Sequence, residues 1–427
     1  MKKILRDNKG SVSALVVISV LLYSIVLTTA FMQASSKRKM QMESQILAKE
    51  AYEKQLDNLD EIRDEINGGA GTKVPAEATA ETAPYFPDNT FTKKEGTIDT
   101  GLVIKDASGN EYVWVVVPRT TAVYKTTGLG KTTFTDADYT SIEKDLKDYT
   151  SIYVTESGYS DLYYPDDKNV GWFADETAYN NLKNSMLKSV YENGGFYVGR
   201  YEAGIDTTTG TNRTSIESQV DGKYPVPTTA PVTKADAYPY TYVTRTQAQN
   251  LASNVNSGTK TSSLMFGVQW DLVLAFMHNK GNIEDSTLTS NSTTIGNYYN
   301  STFDLDRGKY AQFGQLGNTW KNFDSALDSI VVSNETTGKM KKTEQNSYQN
   351  GILLTTGGTE QSKVMNIYDI AGNVCEWTLE KTSNTYDQCV ARGGLFNDTG
   401  SYRPAADHDG NSSGHSFYSI GFRVSIF

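Results

Sequence analysis

Asn366 to Thr378 reads NIYDIAGNVCEWT; further on come Ala391-Arg392-Gly393-Gly394 and Gly421-Phe422-Arg423-Val424. These three stretches decide the fold. Gly372, Gly393 and Gly394 suit turns and close backbone approach, because glycine has no Cβ to exclude a left-handed conformation. Trp377 and Phe422 are large apolar groups whose simplest role is core. Working outward, Gly194 to Gly204 reads GGFYVGRYEAG, with a strand-like run at Phe196–Tyr201, and Tyr112–Val117 is a β-branched run closed by Pro118. Two helices are expected, Arg245–Ala252 behind the capping residue Thr244, and Val268–Met277 behind Gly267. Between them lie Tyr, Thr, Asn, Ser and Gly, which predict short strands and long loops. The class is α+β with much irregular structure, and no unit repeats at a fixed period.

The 427 residues include 40 Lys+Arg against 50 Asp+Glu, a formal charge of -10, without a long basic run. A nucleic-acid surface has little electrostatic support in such a chain. Hydrophobic residues at 38% and charged residues at 21% allow a packed core and exclude global disorder. Two cysteines and three histidines rule out a cysteine-rich scaffold and any site needing more than three imidazoles, so oxygen ligands are the metal chemistry left.

Val12 to Phe31 carries no charge, and as a helix it spans roughly 30 Å, the thickness of a bilayer's hydrocarbon. Lys2, Lys3, Arg6 and Lys9 precede it; Lys37, Arg38 and Lys39 follow, a count that slightly favours a cytoplasmic N-terminus. From Glu43 to Ile66, Leu56, Leu59, Ile62 and Ile66 recur at helical spacing, which predicts a stalk helix with one narrow apolar stripe. The Gly, Pro, Ala and Thr of 68–96 read as a linker. The expected organisation is a basic leader (1–11), a transmembrane helix (12–32), a stalk (33–67), a linker (68–96) and a head (97–427). The leader ending Lys9-Gly10, followed by Ser11 and the apolar run, resembles a type IV prepilin N-terminus, although Leu15 stands where that family has a glutamate. The resemblance implies a minor, tip-type pilin-like subunit; a plain signal anchor is the alternative.

In the head, the order Val113-Trp114-Val115 with Pro118, GGFYVGRYEAG, Phe266–Ala275 with Gln269-Trp270-Asp271 inside it, NIYDIAGNVCEWT, Arg392-Gly393-Gly394 and Gly421–Val424 is similar to the formylglycine-generating enzyme (sulfatase-modifying factor) family. The match runs from about Tyr112 to Phe427, with insertions near 120–192 and 286–361. It implies that family's variant of the C-type lectin fold, here preceded by a long N-terminal transmembrane and stalk helix.

The enzymes of the family use a thiol pair shortly after Arg-Gly-Gly, where thiolates bind a soft cuprous ion. This chain places Asp398 and Arg403 at those positions. Cys375 stands where the family usually has Trp, and Cys389 precedes the Arg-Gly-Gly. His278, His408 and His415 lack the spacing of the three-histidine iron site in another branch. The expectation is a non-catalytic head with no catalytic residue and no copper. Asp369, Gly372, Val374 and Glu376 match the family's calcium pattern, acids at the ends and main-chain carbonyls between, so calcium is the expected cofactor. The cysteines are open to three readings: a reactive pair, buried small residues, or a disulfide. If their two strands form a hairpin, a Cys375–Cys389 bridge closes a loop of about fifteen residues worth roughly 3 kcal/mol.

Asn397, Asp398, Ser401, Tyr402, Arg403, Asp407, His408, Asp409, Asn411, His415 and Tyr418 crowd between the Arg-Gly-Gly and Gly-Phe-Arg motifs. Tyr offers contact area at low entropic cost and the others offer hydrogen bonds, the composition of an adaptable recognition surface; a polar loop is the plainer alternative. The close SIGFRVSIF also resembles lectin-fold proteins diversified by retroelements, which implies a variable C-terminal binding segment. The expected function is an extracellular head for adhesion or ligand binding, with a protein or glycan partner and no nucleic acid. It would be held at the cell membrane by a single-pass helix or among other pilin subunits. A sulfatase-modifying oxidoreductase and a structural minor pilin are the alternatives.

Overall fold

A computed structural model describes Leu22 and residues 77–165, 172–214, 225–313, 320–323 and 329–427. The chain divides into Met1–Asn67 and Gly68–Phe427. The leader, transmembrane helix, stalk and pilin-like segment lie outside the described residues, Leu22 apart. Among the described residues no helix is long and apolar enough to cross a membrane.

The head carries a six-stranded antiparallel sheet in the order Thr92–Glu95, Val103–Lys105, Glu111–Val116, Gly195–Gly199, Val424–Ile426, Ser262–Leu264. The last strand of the chain therefore sits inside the sheet, and its register (Ser425 opposite Val198 and Ser263) ties the C-terminus to one of the two runs read as strands, Phe196–Tyr201, and to Ser262–Leu264. A second sheet joins Cys375–Thr382 to Cys389–Arg392 and then His408–Asn411 in antiparallel fashion, and to Ile420–Phe422 in parallel. Trp114, Trp270 and Trp377 are buried in the core, and each indole N–H has an acceptor: Thr82 Oγ1 at 2.8 Å, the Ala405 carbonyl at 2.9 Å and the Val243 carbonyl at 3.0 Å.

The two expected helices are present as Arg245–Ser253, with Thr244 and Gln247 forming a capping box, and Gly267–Asn279. The second is buried from Gly267 to Met277, so its sequence shows little amphipathic contrast. Its cap comes from far away: the Asp161 carboxylate accepts from the N–H of Gly267 at 2.6 Å and of Val268 at 3.1 Å.

One expectation is corrected here. From Glu77 onward the stretch read as linker is packed: Tyr85 and Phe91 belong to the core, and Thr92–Glu95 is the sheet's edge strand. Its prolines and glycines imitate a linker, yet its rings bury themselves. Within the first insertion, helices Asp136–Tyr149 and Glu176–Asn193 rest on the core through Ile142, Leu146, Met186, Leu187 and Val190. The second insertion forms two small sheets around a core of its own that includes Phe303, Tyr310, Ile330, Ile352 and Leu354.

Candidate functional site

Gly393 and Gly394 have φ of +93° and +73°, and a Cβ on Gly394 would stand 2.3 Å from the Arg403 carbonyl oxygen. Only glycine lets the chain leave the strand Cys389–Arg392 so tightly. The turn delivers Asp398 and Arg403 side by side. Arg403 Nε lies 3.1 Å from Asp398, Nη1 3.0 Å from Asp407 and Nη2 3.0 Å from Asp409, so one guanidinium fork is shared by three carboxylates. The Arg403 side chain is 20% exposed, and the cluster forms a floor just below the surface. Burial pushes the Asp407 carboxyl up to about 6 in spite of Arg403, and burial raises Asp398 as well.

Cys375 lies beside this cluster. Its buried thiol donates to the Ser419 carbonyl at 3.4 Å, and burial, reinforced by the carboxylates of Asp409, Asp407 and Asp398, holds its pKa well above the usual range. A thiol so placed stays protonated and is a poor nucleophile. The expected hairpin forms, but the cysteines do not meet and are not joined in a disulfide. Cys389 pairs with Lys381, six residues along the strand from Cys375, because the register shifts between Trp377 and Lys381. The disulfide and the reactive pair are both ruled out by that separation.

Of the residues expected to hold calcium, the two acids are engaged otherwise. Arg423, fully buried, donates to both Glu376 oxygens (Nε 3.0 Å, Nη2 2.6 Å) and to the carbonyls of Gly199, Tyr368 and Asp369. The Asp369 carboxylate accepts from Ser362 Oγ and the Gly357 N–H, both at 2.7 Å. Gly372 donates to the Gly393 carbonyl, and the N–H of Val374 binds Glu202. The guanidinium thus takes the place of a cation, and the carboxylates do not fit a calcium shell while it is there. Among the described residues no group of three or more His, Cys, Asp or Glu could hold a metal ion.

Arg423 pairs directly with Glu376 alone, while Glu202 and Asp369 lie within its electrostatic reach, and burial raises all three carboxyls. Such acids keep protons in the folded chain that the unfolded chain has already released above about pH 4. The folded state then binds more protons, so stability falls as pH rises from about 4.5 through 6, where Asp407 titrates, and on through the range of Glu376. The melting temperature of the full chain is expected to be higher at pH 5 than at pH 7.5 by at least about 2 °C. A chelator is expected to leave it unchanged at pH 7.5, whereas a rise on adding calcium would show that the ion displaces Arg423.

The remaining residues of the expected surface separate by depth. Ser401 and Tyr402 are exposed, and Asn397, Asp398, Arg403, Asp407, Asp409, His415 and Tyr418 are partly so. His408 and Asn411 are corrected: both are buried. The strand His408–Asn411 turns the His408 ring inward, against Tyr159 at 4.3 Å between ring centres and with Nε2 3.5 Å from Glu380. Glu380 also pairs with Arg392, which binds Asp271 at 2.7 Å. Burial opposes ionisation of Glu380, yet Arg392 and His408 hold its carboxyl below the usual range.

The family model described as the sulfatase-modifying factor enzyme 1-like domain matches residues 173–426, more than half of the chain, and the chain belongs to that family. The α+β head has the corresponding fold. Among solved structures the chain is similar to PvdO from Pseudomonas aeruginosa (14% identity, 78% of this chain and 99% of that one, TM-score 0.32). It is also similar to Treponema denticola variable protein 1 (14%, 54% and 84%, TM-score 0.26) and to CarF (16%, 63% and 95%, TM-score 0.28). No curated protein matches the chain.

Proposed function

We propose that the head is a non-catalytic ligand-binding module whose surface is the segment between Arg392 and Gly421. One observation carries the reading. The two positions to which the resemblance assigns the thiol pair are adjacent, as two thiols would have to be, and they hold an ion pair, Asp398 to Arg403 at 3.1 Å. A carboxylate and a guanidinium supply neither a cuprous ligand nor an oxidisable group. Arg403 is also committed to Asp407 and Asp409, so its charge is already spent inside the protein.

Above that floor, Tyr402 is 68% exposed, with its ring near the Arg403 guanidinium (5.5 Å), and Ser401 beside it is exposed. An exposed Tyr backed by a fixed charge network is a preorganised contact. The proposal includes an extracellular protein or glycan partner, a membrane anchor through Val12–Phe31 or a place at a pilus tip, and sequence diversity confined to the 395–420 segment. Incubating the full chain with a cysteine peptide, copper(I) and oxygen is expected to yield no formylglycine beyond the protein-free control. Conversion of the peptide cysteine to formylglycine at a rate above the protein-free control would overturn the non-catalytic reading.

A further inference from the structure

The turn that carries Ser401 and Tyr402 is held by the start of the second insertion, and it is held through its main chain. The Ser292 N–H donates to the Gly400 carbonyl at 2.9 Å and the Tyr299 N–H to the Asp398 carbonyl at 3.1 Å. The Ala405 N–H donates to Ser292 Oγ and the Ala406 N–H to the Leu288 carbonyl, both at 2.9 Å. Gly400 lies so close to this platform that a Cβ would stand 2.3 Å from the Thr293 nitrogen. None of these bonds uses a side chain of residues 398–406, so the platform sets the path of the turn whatever side chains the turn carries.

Tyr298 completes the platform. Its ring is fully buried, and its hydroxyl donates to the Arg403 carbonyl at 2.8 Å, with the Gly393 carbonyl at 3.3 Å. One phenol therefore spans both ends of the segment that leaves the Arg-Gly-Gly motif and returns at Arg403. Burial holds that phenol's pKa well above its usual range, so the hydroxyl stays a donor at neutral pH. The side chains of Asp398 and Arg403 bind each other. What the turn leaves exposed is Ser401 and Tyr402, the latter at 68%.

We infer that Tyr298 is a positioning residue for ligand recognition, which it serves by fixing the Arg403 carbonyl and so holding the turn 398–403 in one shape, and that Ser401 and Tyr402 are the side chains that select the ligand. This division of labour rests on the binding role proposed above. A contact surface that is rigid before it binds loses less conformational freedom on binding, so loosening the turn weakens every ligand alike. Changing the side chain at 401 or 402 alters instead which ligand is preferred, because specificity is a difference between affinities. Both positions can change without cost to the fold, since no bond to the platform depends on them.

The test is hydrogen–deuterium exchange of the full chain, read by mass spectrometry in the absence of ligand. Tyr298→Phe keeps the ring and removes the hydroxyl; exchange in 395–406 is expected to speed up by about fivefold, while the strand Gly195–Gly199 exchanges as in wild type. Tyr179→Phe is the control for losing a buried phenol bond, since Tyr179 donates to the Leu379 carbonyl at 2.9 Å instead, and it should leave 395–406 unchanged. Ser401→Ala with Tyr402→Ala should also leave it unchanged, at an unaltered melting temperature. On an immobilised array of saccharides and extracellular proteins, Tyr298→Phe should weaken every wild-type signal several-fold without changing the pattern, whereas Ser401→Tyr should change the pattern. Exchange in 395–406 that stays at the wild-type rate in Tyr298→Phe, or that rises together with Gly195–Gly199, overturns the part given to Tyr298. If Tyr402-dependent capture persists in that case, the binding role stands and only the positioning falls. An array that captures nothing removes the binding role and the selection by Ser401 and Tyr402 with it.

Discussion

Arg392→Ala is expected to destabilise the head by about 3–5 kcal/mol, because it strips the counter-charge from two carboxylates that have no water to turn to. Arg392 is fully buried; Nη2 meets Asp271 at 2.7 Å, Nη1 meets Glu380 at 3.1 Å, and Nε donates to the Asp407 carbonyl at 3.0 Å. One side chain therefore joins the buried helix Gly267–Asn279, the strand Cys375–Thr382 and the segment that carries the binding surface. Lys is expected to rescue little, since a point charge cannot serve three acceptors in a plane. In the Ala variant Glu380 loses the first of the partners that depress its pKa, so its carboxyl should retain a proton when folded. The deficit should then shrink as pH falls from 7.5 to 5, the direction set by a folded state that binds the extra proton. Urea midpoints at the two pH values measure this, and a loss below about 1 kcal/mol at pH 7.5 would contradict the role given to Arg392.

Gly372→Ala is expected to cost about 2–5 kcal/mol, from left-handed strain and overpacking together. At φ +71° a Cβ on this residue would stand 2.3 Å from the Asn297 carbonyl oxygen and 2.9 Å from the Asn297 nitrogen. Both obstacles are backbone, and the next residue is bound there too, through Asn373 N–H to the Asn297 carbonyl at 2.9 Å. The obstruction can be relieved only by parting the Asn297–Gly372 bridge, which fastens the second insertion to the central motif. Gly338→Ala is the control, with φ +70° and nothing within 4 Å of the added carbon. It should cost about 1 kcal/mol, the left-handed penalty alone. Equal losses in the two variants would show that the close approach at Gly372 contributes nothing.

The motifs that decided the fold were legible because each residue does in the structure what its chemistry dictates. Trp377 and Phe422 are core, and Gly372, Gly393 and Gly394 occupy left-handed turns. The two predicted helices need only small changes at their ends. The helices of the first insertion were illegible by periodicity, since Asp136–Tyr149 and Glu176–Asn193 bury a few apolar residues among many polar ones. Their caps were readable: Thr135 with Asp138, Asp175 at one start and Gly194 at φ +68° at one end. The cysteine pairing failed because strand pairing could be inferred and its register could not. One irregularity between Trp377 and Lys381 sets Cys389 far from Cys375.

At the site, the family resemblance brought Asp398 and Arg403 together, since its thiol positions fall on both. It could not reveal that Asp407 and Asp409 close on the same guanidinium. The orientation of His408 was missed for a related reason. A histidine amid polar residues reads as surface, but Glu380 and the Tyr159 ring hold it inward.

The central claim is that the exposed face around Arg403 binds a ligand where its enzyme relatives hold a thiol pair. The most direct measurement is binding of the full chain to an immobilised array of saccharides and extracellular proteins, run side by side with Tyr402→Ala. Tyr402 is 68% exposed, so its removal should leave the melting temperature unchanged. Selective capture by wild type that Tyr402→Ala reduces at least tenfold is the predicted result; capture of nothing, or capture that Tyr402→Ala leaves intact, would contradict it.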